Sequence, residues 1–145
     1  MVRVMVALAA LVLAASLAAA QSNPIAARKA LMKANGDQAK IGAAMVKGEA
    51  PFDLAKVQAI FATFADAAEK APALFPDNSK TGGKTEALPA IWKNKADFAA
   101  RLAKFGTDAK AAQAEVKDLA TFKAVWSGLI RKNCSACHEK YVQKN

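Results

Sequence analysis

Apolar residues recur at helical spacing along most of the chain, and four segments are bounded by residues that start and stop helices. The first opens at Asn23-Pro24, an N-cap side chain followed by proline at the first helical position, where its missing N–H costs nothing. It carries Ile25, Leu31, Met32, Ile41 and Met45, with Gly36 as a mild weakness, and is predicted to end near Gly48. The second follows Pro51-Phe52-Asp53, with Asp53 as N-cap. Leu54, Val57, Ile60, Phe61 and Phe64 make its stripe, and Pro72 and Pro76 stop it. Residues 72–89 hold Pro72, Pro76, Gly82, Gly83 and Pro89 without periodicity, which predicts a long connection with Phe75 buried in it. A third helix is expected from about Ala90 to Glu115, with Ile91, Trp92, Phe98, Leu102 and Phe105 on one side. The fourth starts at Asp118 as N-cap, carries Leu119, Phe122, Val125, Trp126, Leu129 and Ile130, and continues through Tyr141 to the end of the chain.

β-Branched residues are sparse among the alanines, lysines and leucines, so helix is favoured throughout. Four helices of this length predict an all-α fold, an antiparallel up-down-up-down four-helix bundle. Phe61, Phe64, Leu102 and Trp126 are read as its packing residues.

The N-terminus stands apart from this pattern. Arg3 precedes an almost wholly apolar run from Val4 to Leu17, and Ala18-Ala19-Ala20 provides a small-residue cleavage site. Residues 1–20 therefore read as a Sec-type signal peptide, its core shorter than the roughly 20 residues of a membrane span. Residues 21–145 are one domain's worth of chain, exported to the periplasm and without stable membrane insertion.

Charge narrows the partners. The formal net charge is +9, or +8 without Arg3, the leader's one charged residue. Export argues against nucleic acid, as does the absence of any Lys/Arg run longer than two residues. A diffuse solvated basic surface and steering toward an acidic redox partner protein are the two readings left.

The chemistry is concentrated in Cys134-Ser135-Ala136-Cys137-His138. Two cysteines three apart with a histidine directly after the second form the spacing of c-type haem attachment. On a helix, positions i, i+3 and i+4 share a face, so both thiols can form thioethers to the vinyl groups of one haem while the imidazole sits under the iron. A thioredoxin-like pair would need a strand-turn-helix context that is missing here. A structural zinc site needs four ligands, and the chain has two cysteines and one histidine. A disulfide in an exported, haem-free helical binding protein is the remaining alternative. It gives no reason for the only histidine to follow Cys137. One covalent haem c near the C-terminal end of the fourth helix is therefore expected.

What faces His138 decides the function. With one histidine, bis-histidine ligation within one chain is excluded. Met32 and Met45 are the methionines beyond the leader. In an antiparallel bundle the start of the first helix lies beside the end of the fourth, which brings Met32 toward His138. Met45, 13 residues further on, lies about 20 Å away along the axis. Met32 can face the haem as distal axial ligand, with core packing as its plainer alternative. Arg28, one turn earlier on the same face, could pair with a haem propionate or simply be solvated.

Together these residues resemble the class II cytochromes c, which include the cytochromes c′ and the low-spin cytochrome c-556 type. The resemblance covers the whole exported chain. It is carried by CxxCH close to the C-terminus of an all-helical sequence and by Arg28 four residues before Met32. Lys47-Gly48-Glu49-Ala50-Pro51-Phe52-Asp53, Leu74-Phe75-Pro76 and Pro89-Ala90-Ile91-Trp92 are similar to family landmarks as well. It implies an electron carrier with His138 and Met32 on the iron if the chain follows the c-556 type. If it follows the cytochromes c′, it implies a five-coordinate haem that binds NO or CO. Val142 stands where many cytochromes c′ have a basic residue, and Arg28-Lys29-Ala30-Leu31-Met32 is similar to the c-556 version. The resemblance further implies that Thr85, Glu86 and Ala87 lie at the haem edge, and that a homodimer through the first two helices is possible. A basic surface of Arg28, Lys29, Lys33, Arg131, Lys132 and Lys140 is expected at the haem end.

Overall fold

A computed structural model describes residues 23–144; the leader expected over residues 1–20 lies outside them. The long elements are α1 (Pro24–Lys47), α2 (Leu54–Lys70), α4 (Lys95–Glu115) and α5 (Leu119–Leu129). Short helices α3 (Ala90–Lys93) and α6 (Ala136–Tyr141) precede α4 and end the chain. No strand is present among the described residues. The long elements form a four-helix bundle in which α1 packs on α2 and α5, and α4 packs on α2 and α5.

The expected caps are in place. Asn23 Oδ1 accepts the Ala26 N–H at 3.0 Å, Asp53 Oδ1 accepts the Lys56 N–H at 3.1 Å, and Asp118 forms a capping box with Thr121. Gly48 ends α1 in the left-handed region at φ 79°, its N–H on the Ala44 and Met45 carbonyls.

Between these ends the apolar stripes meet. Phe61, Phe64, Phe122 and Trp126 are buried against Met45, Val57, Ile60 and Phe105. Their rings contact edge-on or tilted at centroid separations of 5.1–6.5 Å, apart from the stacked Phe64–Trp126 pair. Small residues let helices close. A Cβ built at Gly42 would clash with the Trp126 ring, 2.6 Å from Cζ2, and one at Gly106 would stand 3.1 Å from the Ala68 Cβ.

Three features depart from the pattern. The third helix is interrupted at Asn94, whose backbone leaves the helical region (φ −128°, ψ 48°). Its side-chain amide takes the Ala90 carbonyl at 3.1 Å, a local bond that competes with the helical ladder.

The fourth helix is likewise not continuous. Residues Ile130–Ser135 form a π-turn, with the Ala136 N–H bonded to the Arg131 carbonyl five residues back. Here the Leu129 carbonyl accepts from the Asn133 side chain, which also bonds Asp108 on α4 at 2.8 Å.

Finally, the connection before α3 is partly ordered by turns at Ala71–Leu74 and Asp77–Ser79. Its end pairs with the C-terminus: the Leu88 N–H bonds the Tyr141 carbonyl at 2.9 Å, and the Gln143 N–H bonds the Glu86 carbonyl at 2.7 Å. Phe75 is half-buried there, 4.7 Å from the Phe98 ring centroid.

Candidate functional site

The π-turn carries Cys134 and α6 carries Cys137 and His138, so the motif straddles two helical geometries. The motif faces α1 across two adjoining cavities of about 170 and 220 Å³. Met32, Leu102, Cys137 and His138 line both, and Cys134 lines the larger. Together they reach the size of a small-molecule site, roughly 300–1,000 Å³. The walls are largely apolar: Ile91, Phe98 and Leu102 on one side, Phe64, Phe105 and Ile130 on the other. Phe64 and Leu102 thus serve both core and cavity. Met45 lies in the bundle core, 1% exposed, and lines neither cavity.

Electrostatics suit an uncharged pair of sulfurs. Burial pushes the Cys134 thiol up to about 11, helped by Cys137. Burial also raises Cys137, with Arg101 opposing it. Both thiols are free and half-buried. His138 is exposed at the cavity rim. Among the described residues no group of three or more His, Cys, Asp or Glu side chains is placed to hold a metal ion.

Arg28 differs from the surface residue expected of it. It is 4% exposed, stacked over Phe75 and Trp92 at 4.8 and 5.6 Å. Its terminal nitrogens donate to the Leu74 carbonyl, the Ser79 hydroxyl and carbonyl, and Thr85 Oγ1 at 2.7–3.1 Å. The guanidinium therefore fastens the 74–85 connection onto α1, with its four terminal N–H groups already engaged. The basic surface is thinner for the same reason. Lys33 pairs with Asp37 and Lys140 with Asp97, whereas Lys29, Arg131 and Lys132 have no carboxylate partner among the described residues. Thr85, Glu86 and Ala87 do line the smaller cavity, with Glu86 exposed at its mouth.

Two polar features carried no signal in the linear pattern. Asp97 Oδ2 on α4 accepts from the buried Tyr141 hydroxyl, from Lys140 Nζ at 2.9 Å and from Arg101 Nε at 2.9 Å. These bonds hold α6 against α4. Only the Asp97–Arg101 spacing of four could have hinted at them. The second feature is Asn35, one turn after Met32 and lining the larger cavity. Its Nδ2 lies 4.0 Å from Met32 Sδ, and its buried Oδ1 has no partner. An unpaired buried acceptor costs about 1–3 kcal/mol, so this wall suits a polar or coordinated group more than an empty apolar gap.

Two thiols and an imidazole on largely apolar cavities are the donors that covalent attachment of a haem requires, and the Met32 thioether lines the same cavities. Comparison with known proteins agrees. A family model described as cytochrome c′ matches residues 23–142. A cytochrome c′ of Rhodopseudomonas palustris is 49% identical over 92% of this chain and 90% of its own length. A cytochrome c-556 of the same species is 36% identical, covering 99% of both chains. The solved structure of cytochrome c′ from R. palustris superposes with a TM-score of 0.81 at 49% identity, covering 85% of this chain and 98% of that one.

Proposed function

The chain belongs to the cytochrome c′ family, whose members carry covalently bound haem c, and from that premise we propose a periplasmic electron carrier with His138 and Met32 as axial ligands. Cys134 and Cys137 would hold the haem through thioethers. When bound, it supplies one-electron exchange between ferrous and ferric iron. The observation that carries the reading is the shared position of Met32 and His138, from opposite elements, on the walls of both cavities. A thioether ligand favours the ferrous state and fills the site a gas would need. Phe98, Leu102 and Phe105 line the cavities and would keep water from the haem, while Lys29, on the lining of the smaller cavity, would offer a charge to a propionate, since Arg28 is committed to the loop. Periplasmic location rests on the leader-like residues 1–20.

The test is the visible spectrum of the purified protein in both redox states. A low-spin spectrum with a methionine–iron band that disappears in Met32→Ala supports the carrier. A high-spin ferrous form that takes up CO supports the other reading, a five-coordinate gas-binding cytochrome c′. The 49% identity to the R. palustris cytochrome c′, against 36% for the c-556, favours that alternative.

A further inference from the structure

Asn35 is the one residue whose buried side-chain acceptor lacks a partner among the described residues. It follows Met32 by three positions, which puts the two side chains on the same face of α1. Both line the larger cavity together with Cys134, Cys137 and His138. The Asn35 amide nitrogen stands 4.0 Å from the Met32 sulfur, the outer reach of a hydrogen bond to sulfur, with the carboxamide otherwise uncommitted to the fold. An asparagine that capped a turn or tied two helices together would have used its oxygen; this one does not.

We propose that Asn35 is a positioning residue for Met32: its side-chain N–H donates to the Met32 thioether, orients the sulfur toward His138, and tunes its donor strength. This rests on the axial reading of Met32 given above. A thioether sulfur has two lone pairs and is a weak acceptor, so one pair can meet a metal while the other accepts an N–H. A group that hydrogen-bonds to a ligand from behind fixes its orientation and alters the electron density it offers. Donation to sulfur draws density from it, weakens its support for ferric iron and raises the reduction potential. Met32 has three rotatable side-chain bonds, and a donor one turn along the helix limits the rotamers that keep Sδ on the cavity side.

The sign of the effect separates this role from simple polarity. In Asn35→Leu the branching at Cγ and the number of side-chain heavy atoms are kept, and the donor is lost. If the amide acts on the sulfur, the potential falls and the methionine–iron band shifts or weakens. If Asn35 only makes the cavity more polar, leucine makes the surroundings less able to support the ferric charge, and the potential rises. The experiment is redox titration and visible spectroscopy of the haem-loaded wild-type and Asn35→Leu proteins. It is joined by proton NMR of the reduced wild-type, following exchange of the Asn35 side-chain amide protons. A fall in potential, a displaced band and slowed exchange of one amide proton support the proposal. An unchanged or raised potential in Asn35→Leu, with the band present in the wild-type, overturns it and leaves Met32 ligation intact. A wild-type protein without the band overturns both. Should Asn35→Leu fail to fold, rapid exchange of both Asn35 amide protons in the wild-type overturns the proposal alone.

Discussion

Asp97 receives three donors on one oxygen, and the order of their effects sets its chemistry. The Tyr141 hydroxyl, then Lys140 and Arg101, hold its carboxyl well below the usual carboxylate range, while burial and then Asp97 raise the Tyr141 phenol. A carboxylate depressed in the folded chain lends stability above its unfolded value of about 3.9, lost as pH falls from there through the lower native value. Tyr141→Phe removes the leading cause and leaves the ring packed against Phe98 at 5.2 Å. The expected result is a higher Asp97 pKa by carbon-13 NMR and an acid unfolding midpoint moved to higher pH. An unmoved Asp97 titration would contradict this account. None of it was legible beforehand: Asp97 and Tyr141 are 44 positions apart, and an aspartate on a charged helix reads as solvated. Cys134, Cys137, His138 and Met32 stand out in the sequence by spacing and scarcity, and the fold brings all four to the lining of one cavity.

Helix starts were readable because caps are local chemistry: Asn23, Asp53 and Asp118 each bond an N–H three residues ahead. Interruptions were not, since the π-turn and the break at Asn94 depend on where asparagine side chains find carbonyls, and Asn133 also needs Asp108 from another helix. Contact between elements is tested most sharply by two helical glycines that differ, Gly42 on α1 and Gly128 on α5. At Gly42 an added methyl would clash with the Trp126 ring, so α1 and α5 must separate. Gly42→Ala is expected to destabilise by about 1–3 kcal/mol. At Gly128 on α5, which lines neither cavity, nothing lies within 4 Å of an added Cβ, so Gly128→Ala should stabilise by about 0.5–1 kcal/mol through helix propensity. Urea unfolding of both variants measures the difference. Equal effects would mean that α1 is not seated on Trp126 as described.

At the scale of the molecule, the excess of positive charge is a statement about association, and its effect depends on where the unpaired cations lie. Arg28 is buried under the 74–85 connection, and Lys33 and Lys140 are offset by Asp37 and Asp97. Lys29, on the lining of the smaller cavity, is not offset by a carboxylate among the described residues, and its ammonium donates to the Lys84 carbonyl at 3.2 Å. Lys123 is equally without a carboxylate partner among the described residues, but precedes His138 by 15 positions, about 20 Å along the helix. The screening length at physiological ionic strength is about 8 Å, so a partner docking at the cavity mouth should feel Lys29 and scarcely feel Lys123. Both Lys29→Glu and Lys123→Glu change the net charge by the same amount. With an acidic redox partner at physiological salt, Lys29→Glu should slow second-order electron exchange several-fold, while Lys123→Glu leaves it nearly unchanged. In 1 M salt, where the screening length is about 3 Å, the wild-type and both variants should converge. Stopped-flow rates across ionic strength decide the matter. Equal slowing by the two substitutions would mean that net charge alone governs the encounter, and equal rates throughout would place docking away from the cavity mouth.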